Sequence, residues 1–75
     1  MQRLWDEIDA AEDLLGQFPE AGVELRQDGA MTVRRLRLKR IPFYVWYLVD
    51  LRKGRRVTLF RLFHARQRTP EPRLP

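Results

Sequence analysis

The chain has no cysteine, a single histidine (His64), four glycines in 75 residues and no apolar run longer than nine. Without cysteine there is neither a disulfide framework nor a thiolate metal site, so the staples of small secreted domains are excluded and a reducing compartment fits. One histidine with no paired ligand set cannot hold zinc, and no metal or other cofactor is expected. The longest apolar run, Ile41 to Val49, is interrupted by Pro42 and is well short of the ~20 residues that span a bilayer. Signal-peptide character is missing as well: "MQRLWDEIDAAEDLLGQF" carries carboxylates where such a leader needs a basic start and an unbroken apolar core. The expectation is one cytoplasmic domain over residues 1–75 with no membrane segment. A domain of this size buries only about 60% of the surface its unfolded chain exposes, so its core is marginal.

Acidic residues are nearly absent from the C-terminal part. Residues 31–75 hold thirteen Lys or Arg against Asp50 and Glu71, a net +11, whereas residues 1–30 hold Arg3 and Arg26 against eight carboxylates, a net −6. The overall +5 thus conceals two opposed blocks. Solvated faces usually mix signs, and a segregation of this kind builds one part of the surface for an anionic partner, either nucleic acid or an acidic protein segment.

What is present follows a clear order. Leu4, Ile8, Ala11 and Leu15 recur at the spacing of an amphipathic helix, with Trp5, Leu14 and Phe18 widening the stripe; the helix runs from Gln2 to about residue 18. Pro19, Gly22 and "QDGA" then read as a loop and turn. From about residue 32 to 40 the chain alternates, Leu36 and Leu38 against Arg35, Arg37 and Lys39, as a half-buried strand does. "FYVWYLV" reads as a central strand over about 43–50 that is covered on both faces. "DLRKGRR" makes a hairpin loop, and a last strand spans about 56–64. The tail, about residues 66–75, holds three of the five prolines and reads as irregular. Short connections favour an antiparallel meander, so the expected class is α+β, one N-terminal helix packed on three antiparallel strands. On strict alternation Val57, Leu59, Arg61 and Phe63 share one side of the last strand, and Thr58, Phe60, Leu62 and His64 share the other. A single helix leaves one apolar sheet face rimmed by arginine, the kind of surface that binds another protein.

The helix ending "LLGQFPEAG", the run "VRRLRLKRIPFYVWYLVD" and the final "VTLFRLFHARQR" occur in an order that resembles the RelE/ParE superfamily, the toxins of type II toxin–antitoxin modules. The last two runs are similar to the ParE, or plasmid-stabilisation, branch in particular. The resemblance covers nearly all of the chain but not the whole family fold. Members usually begin with another strand and another helix, so Met1 falls at about the start of the family's second helix. This implies either a shortened chain or one that compensates by association, as a homodimer or with a partner.

Two activities are implied by the resemblance. ParE-like members inhibit DNA gyrase by binding it and are neutralised by a cognate antitoxin. RelE-like members cut messenger RNA in the ribosome, and the matching positions here would be Arg35, Arg37, Arg61, His64 and Arg66, with Tyr44 where the middle strand of those enzymes carries arginine. Such chemistry asks for a base, an acid and cations over the phosphate. Arginine stays protonated and makes a poor base. With no tyrosine after Tyr47, the acid would have to be His64, which by parity faces away from the arginines. The ParE-like reading, with no catalytic residues, is therefore preferred over the ribonuclease and over a non-toxic remnant that retains only antitoxin binding. Expected partner contacts are Arg35, Arg37, Lys39, Leu59, Arg61, Phe63, Arg66 and Arg68.

Overall fold

A computed structural model describes residues 2–52, 54–68, 71, 72 and 74. Helix α1 (Gln2–Gln17) is followed by strands β1 (Val23–Asp28), β2 (Met31–Arg37), β3 (Phe43–Asp50) and β4 (Arg56–His64). The strands form one sheet in the order β1-β2-β3-β4, each pair antiparallel. The α+β class is as expected, but the meander has four strands rather than three. β1 occupies the stretch read as loop, between Gly22 and Gly29. It pairs with β2 through a two-residue connection, Asp28 opposite Met31. Gly29 has φ of +61° and no non-glycine residue among the described residues has positive φ, the signs of a type II′ hairpin turn, which glycine at the first central position permits.

Helix α1 is amphipathic as its spacing predicts, with Leu15 fully buried and Ala11 nearly so, while Trp5 and Phe18 point outward, 63% and 60% exposed. The last helical bond runs from Phe18 N–H to the Leu14 carbonyl at 2.8 Å, after which Pro19 has no N–H to continue. Ala11 and Leu15 cover one face of the sheet, where they meet Leu38, Val45, Tyr47 and Val49 with Leu36, Val57 and Leu59. On the opposite face Val33, Trp46 and Phe63 form a second cluster, joined by Leu25, Leu48, Phe60 and Leu74. β3 is thus buried on both sides, as its continuous apolar run requires.

Two finer expectations are corrected. β2 ends at Arg37, short of residue 40, because the chain turns towards Pro42: Leu38 N–H donates to the Phe43 carbonyl at 2.9 Å, and Phe43 N–H to the Ile41 carbonyl at 2.8 Å. In β4 strict alternation fails. Tyr47 lies opposite Leu59 and Trp46 opposite Arg61, so Phe60 is an extra residue in a β-bulge. A bulge shifts the side-chain parity of everything beyond it, and Val57 and Leu59 lie under the helix while Arg61 and Phe63 lie on the other face.

The connection from α1 to β1 is fixed from the sheet. Tyr47, fully buried, donates its hydroxyl proton to the Pro19 carbonyl at 2.8 Å and accepts the Gly22 N–H at 2.9 Å. Burial raises the Tyr47 pKa, offset in part by the Gly22 amide and Arg34. Arg34 Nη1 also donates to the Gly22 carbonyl at 2.7 Å. A Cβ on Gly22 would stand 2.5 Å from the Arg35 carbonyl oxygen and 2.7 Å from Tyr47 Oη, so this position admits glycine alone.

Candidate interaction face

The sheet face away from α1 carries two cross-strand rows set by register. Trp46 on β3 lies between Arg35 of β2 and Arg61 of β4, and Tyr44 lies between Arg37 and Phe63. Neighbouring strands are about 4.8 Å apart, so the three guanidinium groups converge on an aromatic floor. Arg35 Cζ sits 4.7 Å from the Tyr44 ring centroid, Arg37 Cζ 5.3 Å from the same centroid, and Arg61 Cζ 5.8 Å from that of Phe63. Below them Trp46 and Phe63 stack at a tilt, centroids 4.8 Å apart.

Stacking of this kind contributes about 0.5–1 kcal/mol per pair at exposed sites, and it also orients the groups. A guanidinium held over a ring face keeps N–H donors available, and a planar carboxylate or phosphate can be met by them in fork geometry. The ion pairs among the described residues use Arg26, Arg34, Arg40 and Arg52, and none of them draws on Arg35, Arg37 or Arg61. Trp46 Nε1 is buried with no hydrogen-bond partner among the described residues.

The other residues singled out from the sequence are distributed differently. Phe63 is in the arginine rows but only 5% exposed. Leu59 is under the helix, on the far side of the sheet. Lys39 follows the end of β2 and lines a small hollow with Glu7, Leu14 and Leu36. Arg66 and Arg68 follow β4 and are exposed. His64 lies opposite Phe43, across the sheet from Arg61, and meets the Phe43 ring edge-on at 5.0 Å. Its Nδ1 accepts the Arg66 N–H at 3.1 Å, and its own N–H donates to Gln67 Oε1 at 3.1 Å. His64 closes β4 and opens the following turn, and it is not brought together with Arg35, Arg37 and Arg61.

Two contributors to this face were not singled out from the sequence. Tyr44 was read as a departure from an enzyme pattern, whereas it is the platform under two arginines; its alternation with Trp46 on the parity of Arg35 and Arg37 was the available signal. Leu74, from a tail read as irregular, packs on the Val33–Trp46–Phe63 cluster, and nothing local in the sequence points to that. A second concavity, about 390 Å³, lies between α1 and β4 and is lined in part by Trp5, Ile8, Glu12, Leu59 and Leu62. No helix among the described residues is long and apolar enough to cross a membrane. No family model, no curated protein and no solved structure matches the chain.

Proposed function

We propose that the chain is the toxin component of a type II toxin–antitoxin module of the ParE-like kind, acting in the cytoplasm by binding DNA gyrase and neutralised by a cognate antitoxin. The observation that carries a binding role over a catalytic one is the segregation of His64 from the arginines. The group beside Arg35 and Arg37 is the Tyr44 phenol, and one phenol among cations that stay protonated does not supply both the acid and the base that RNA cleavage needs. His64 is on the opposite face with Nδ1 engaged by the Arg66 amide, which suits a residue that shapes a turn. The quoted helix ending, basic strand and final "FHARQR" support the toxin family. The arginine rows over Tyr44 and Trp46 support an acidic protein segment as the neutralising partner.

The test is His64→Gln. The wild-type protein is expected to inhibit gyrase supercoiling and to leave ribosome-bound message intact, and the folded mutant should inhibit equally well. A general acid typically contributes about 10²- to 10⁴-fold to rate, so message cleavage by the wild type that disappears in a folded His64→Gln protein would make the chain a ribonuclease instead.

A further inference from the structure

We propose that the outer edge of β4 and the groove beside it form a second docking site, which takes an extended segment of another protein as a fifth strand, with a basic residue at every second position. The site is separate from the arginine rows and does not rest on the toxin reading. β4 ends the sheet, so alternate backbone N–H and C=O groups along it face outward without a strand partner. Among the described residues, no side chain and no loop backbone bonds to β4 between Arg56 and Phe63. The first group so served is the His64 N–H, which donates to Gln67 Oε1 at 3.1 Å. The other edge of the sheet differs in kind. β1 is six residues long and carries Glu24, Arg26 and Asp28, the charged pattern of a protected edge, whereas β4 is nine long and includes Val57, Leu59 and Leu62.

The groove sets the chemistry of the segment. α1 runs beside β4 with Trp5 towards Leu62 and Gly16 towards Val57. The hollow of about 390 Å³ and a further one of about 240 Å³ share Glu12 and Leu59, so they follow each other along the strand. Trp5 and Leu62 are 63% and 38% exposed. Asp9 and Glu12 stand on the helix wall, exposed and in no ion pair among the described residues. Side chains of an added strand alternate between the two sides of the sheet. Those on the helix side meet apolar surface and carboxylates together, which suits Lys or Arg: the stem lies on Leu59 and Leu62 while the cation reaches Asp9 or Glu12. Those on the far side meet Arg61, whose guanidinium carbon is 5.8 Å from the Phe63 ring centroid, so uncharged β-branched residues suit that side. A second copy of this chain is a poor match. Antiparallel pairing of two β4 edges puts both α1 helices on one side of the sheet, with Asp9 and Glu12 of each facing those of the other, and like charges so placed oppose association.

The experiment uses the full chain and the synthetic peptide acetyl-TKVKVKVT-amide, with the isomer acetyl-KKKVVVTT-amide as a control of equal charge and composition. The alternating peptide should blue-shift tryptophan emission by covering Trp5. Trp5→Phe, which leaves Trp46 as the sole tryptophan, should remove that shift. Amide hydrogen exchange should slow between Val57 and Leu62 when the alternating peptide is bound. Asp9→Lys combined with Glu12→Lys, both at exposed helix positions, should weaken binding roughly tenfold with far-UV circular dichroism unchanged. The isomer should bind the unsubstituted chain more weakly by a similar factor. No binding, equal affinity for the two peptides, unchanged affinity in the folded lysine variant, or exchange protection on β1 instead of β4 would each overturn the proposal. So would a doubled mass by light scattering that Leu62→Lys abolishes, since the edge would then belong to a second copy. The peptide comparison and the exchange map use the unsubstituted chain, so they decide the matter even where the lysine variant fails to fold. None of these readouts involves gyrase or the arginine rows.

Discussion

Removing the Tyr47 hydroxyl tests how the helix is tied to the sheet. Tyr47→Phe keeps the ring that fills the space between Leu15 and Val49 and deletes one oxygen. That oxygen joins the Pro19 carbonyl at 2.8 Å and the Gly22 amide at 2.9 Å. Two hydrogen bonds of net worth about 0.5–1.5 kcal/mol each are lost, and each orphaned buried group costs about 1–3 kcal/mol where water cannot reach it. Pro19 and Gly22 are both buried, and the neighbouring Arg34 side chain serves the Gly22 carbonyl rather than its N–H. The expected loss is therefore about 2–4 kcal/mol. A chain of this length has a total stability of about 4–11 kcal/mol, and each kcal/mol is worth about 4–8 °C in Tm for a domain of this size. Urea denaturation followed by circular dichroism should show a lower midpoint at unchanged slope. A loss below about 0.5 kcal/mol, within the range of ordinary surface changes, would mean that the hydroxyl does not hold the 19–22 loop and that the account of this junction is wrong.

The same residue carries a pH signature. Burial raises its folded pKa above the ordinary phenol value, which is about 10. The folded state therefore favours the neutral phenol more strongly than the unfolded state does. The stability this provides is whole below about pH 10 and is lost as pH rises past 10 through the folded value. Wild type should lose stability in that alkaline window faster than Tyr47→Phe, since Tyr44 and the basic groups are common to both. Parallel pH profiles for the two proteins would contradict the assignment.

Further outcomes follow from the same geometry. Gly22→Ala places a methyl 2.5 Å from the Arg35 carbonyl and should destabilise more than Tyr47→Phe; urea midpoints compare the two directly, and an alanine variant as stable as wild type would show that the loop is free to move. Arg35→Glu combined with Arg37→Glu should abolish antitoxin or gyrase binding by titration calorimetry while the fold persists, and wild-type affinity should fall as salt is raised. Unchanged affinity in the double mutant would put the interface elsewhere.

The elements that could be read from the sequence are those whose pattern is set by burial. Leu4, Ile8, Ala11 and Leu15 announced α1 because one helical stripe meets the sheet, and "FYVWYLV" announced β3 because both of its faces are covered. β1 was missed for the converse reason: five of its six residues are exposed, so it carries little alternation, and Pro19 and Gly22 beside it are breaker residues. Asp28-Gly29 was its one available mark, a dipeptide common in tight hairpins. The bulge at Phe60 had no mark, since neither glycine nor proline attends it, and an error of one residue in β4 moved Phe63 and Arg61 to the wrong side relative to Leu59. The arginine rows were legible on β2 from alternation alone; their meeting with Arg61 over Tyr44 and Trp46 depended on that bulge. Leu74 joins the face through tertiary packing across more than twenty residues of sequence from Trp46, which no local pattern encodes.

The opposed charge blocks of the sequence are divided only in part between the two sides of the sheet, since Arg34 pairs with Glu24 and Arg40 with Glu7. Asp6, Asp9, Glu12 and Asp13 are exposed on α1, which lies over one face of the sheet, whereas Arg35, Arg37 and Arg61 are on the other. Arg61 lines the concavity between α1 and β4 together with Asp9 and Glu12, whereas Arg35 and Arg37 are on β2, two strands away from β4. Neither Arg35 nor Arg37 is in an ion pair among the described residues. Arg35 and Arg37 thus keep an unpaired positive field on their side of the sheet, which is where the partner proposed above would meet it. An acidic segment approaching Arg35 and Arg37 meets a positive field, while one approaching the exposed carboxylates of α1 is repelled, which gives the proposed partner a preferred side.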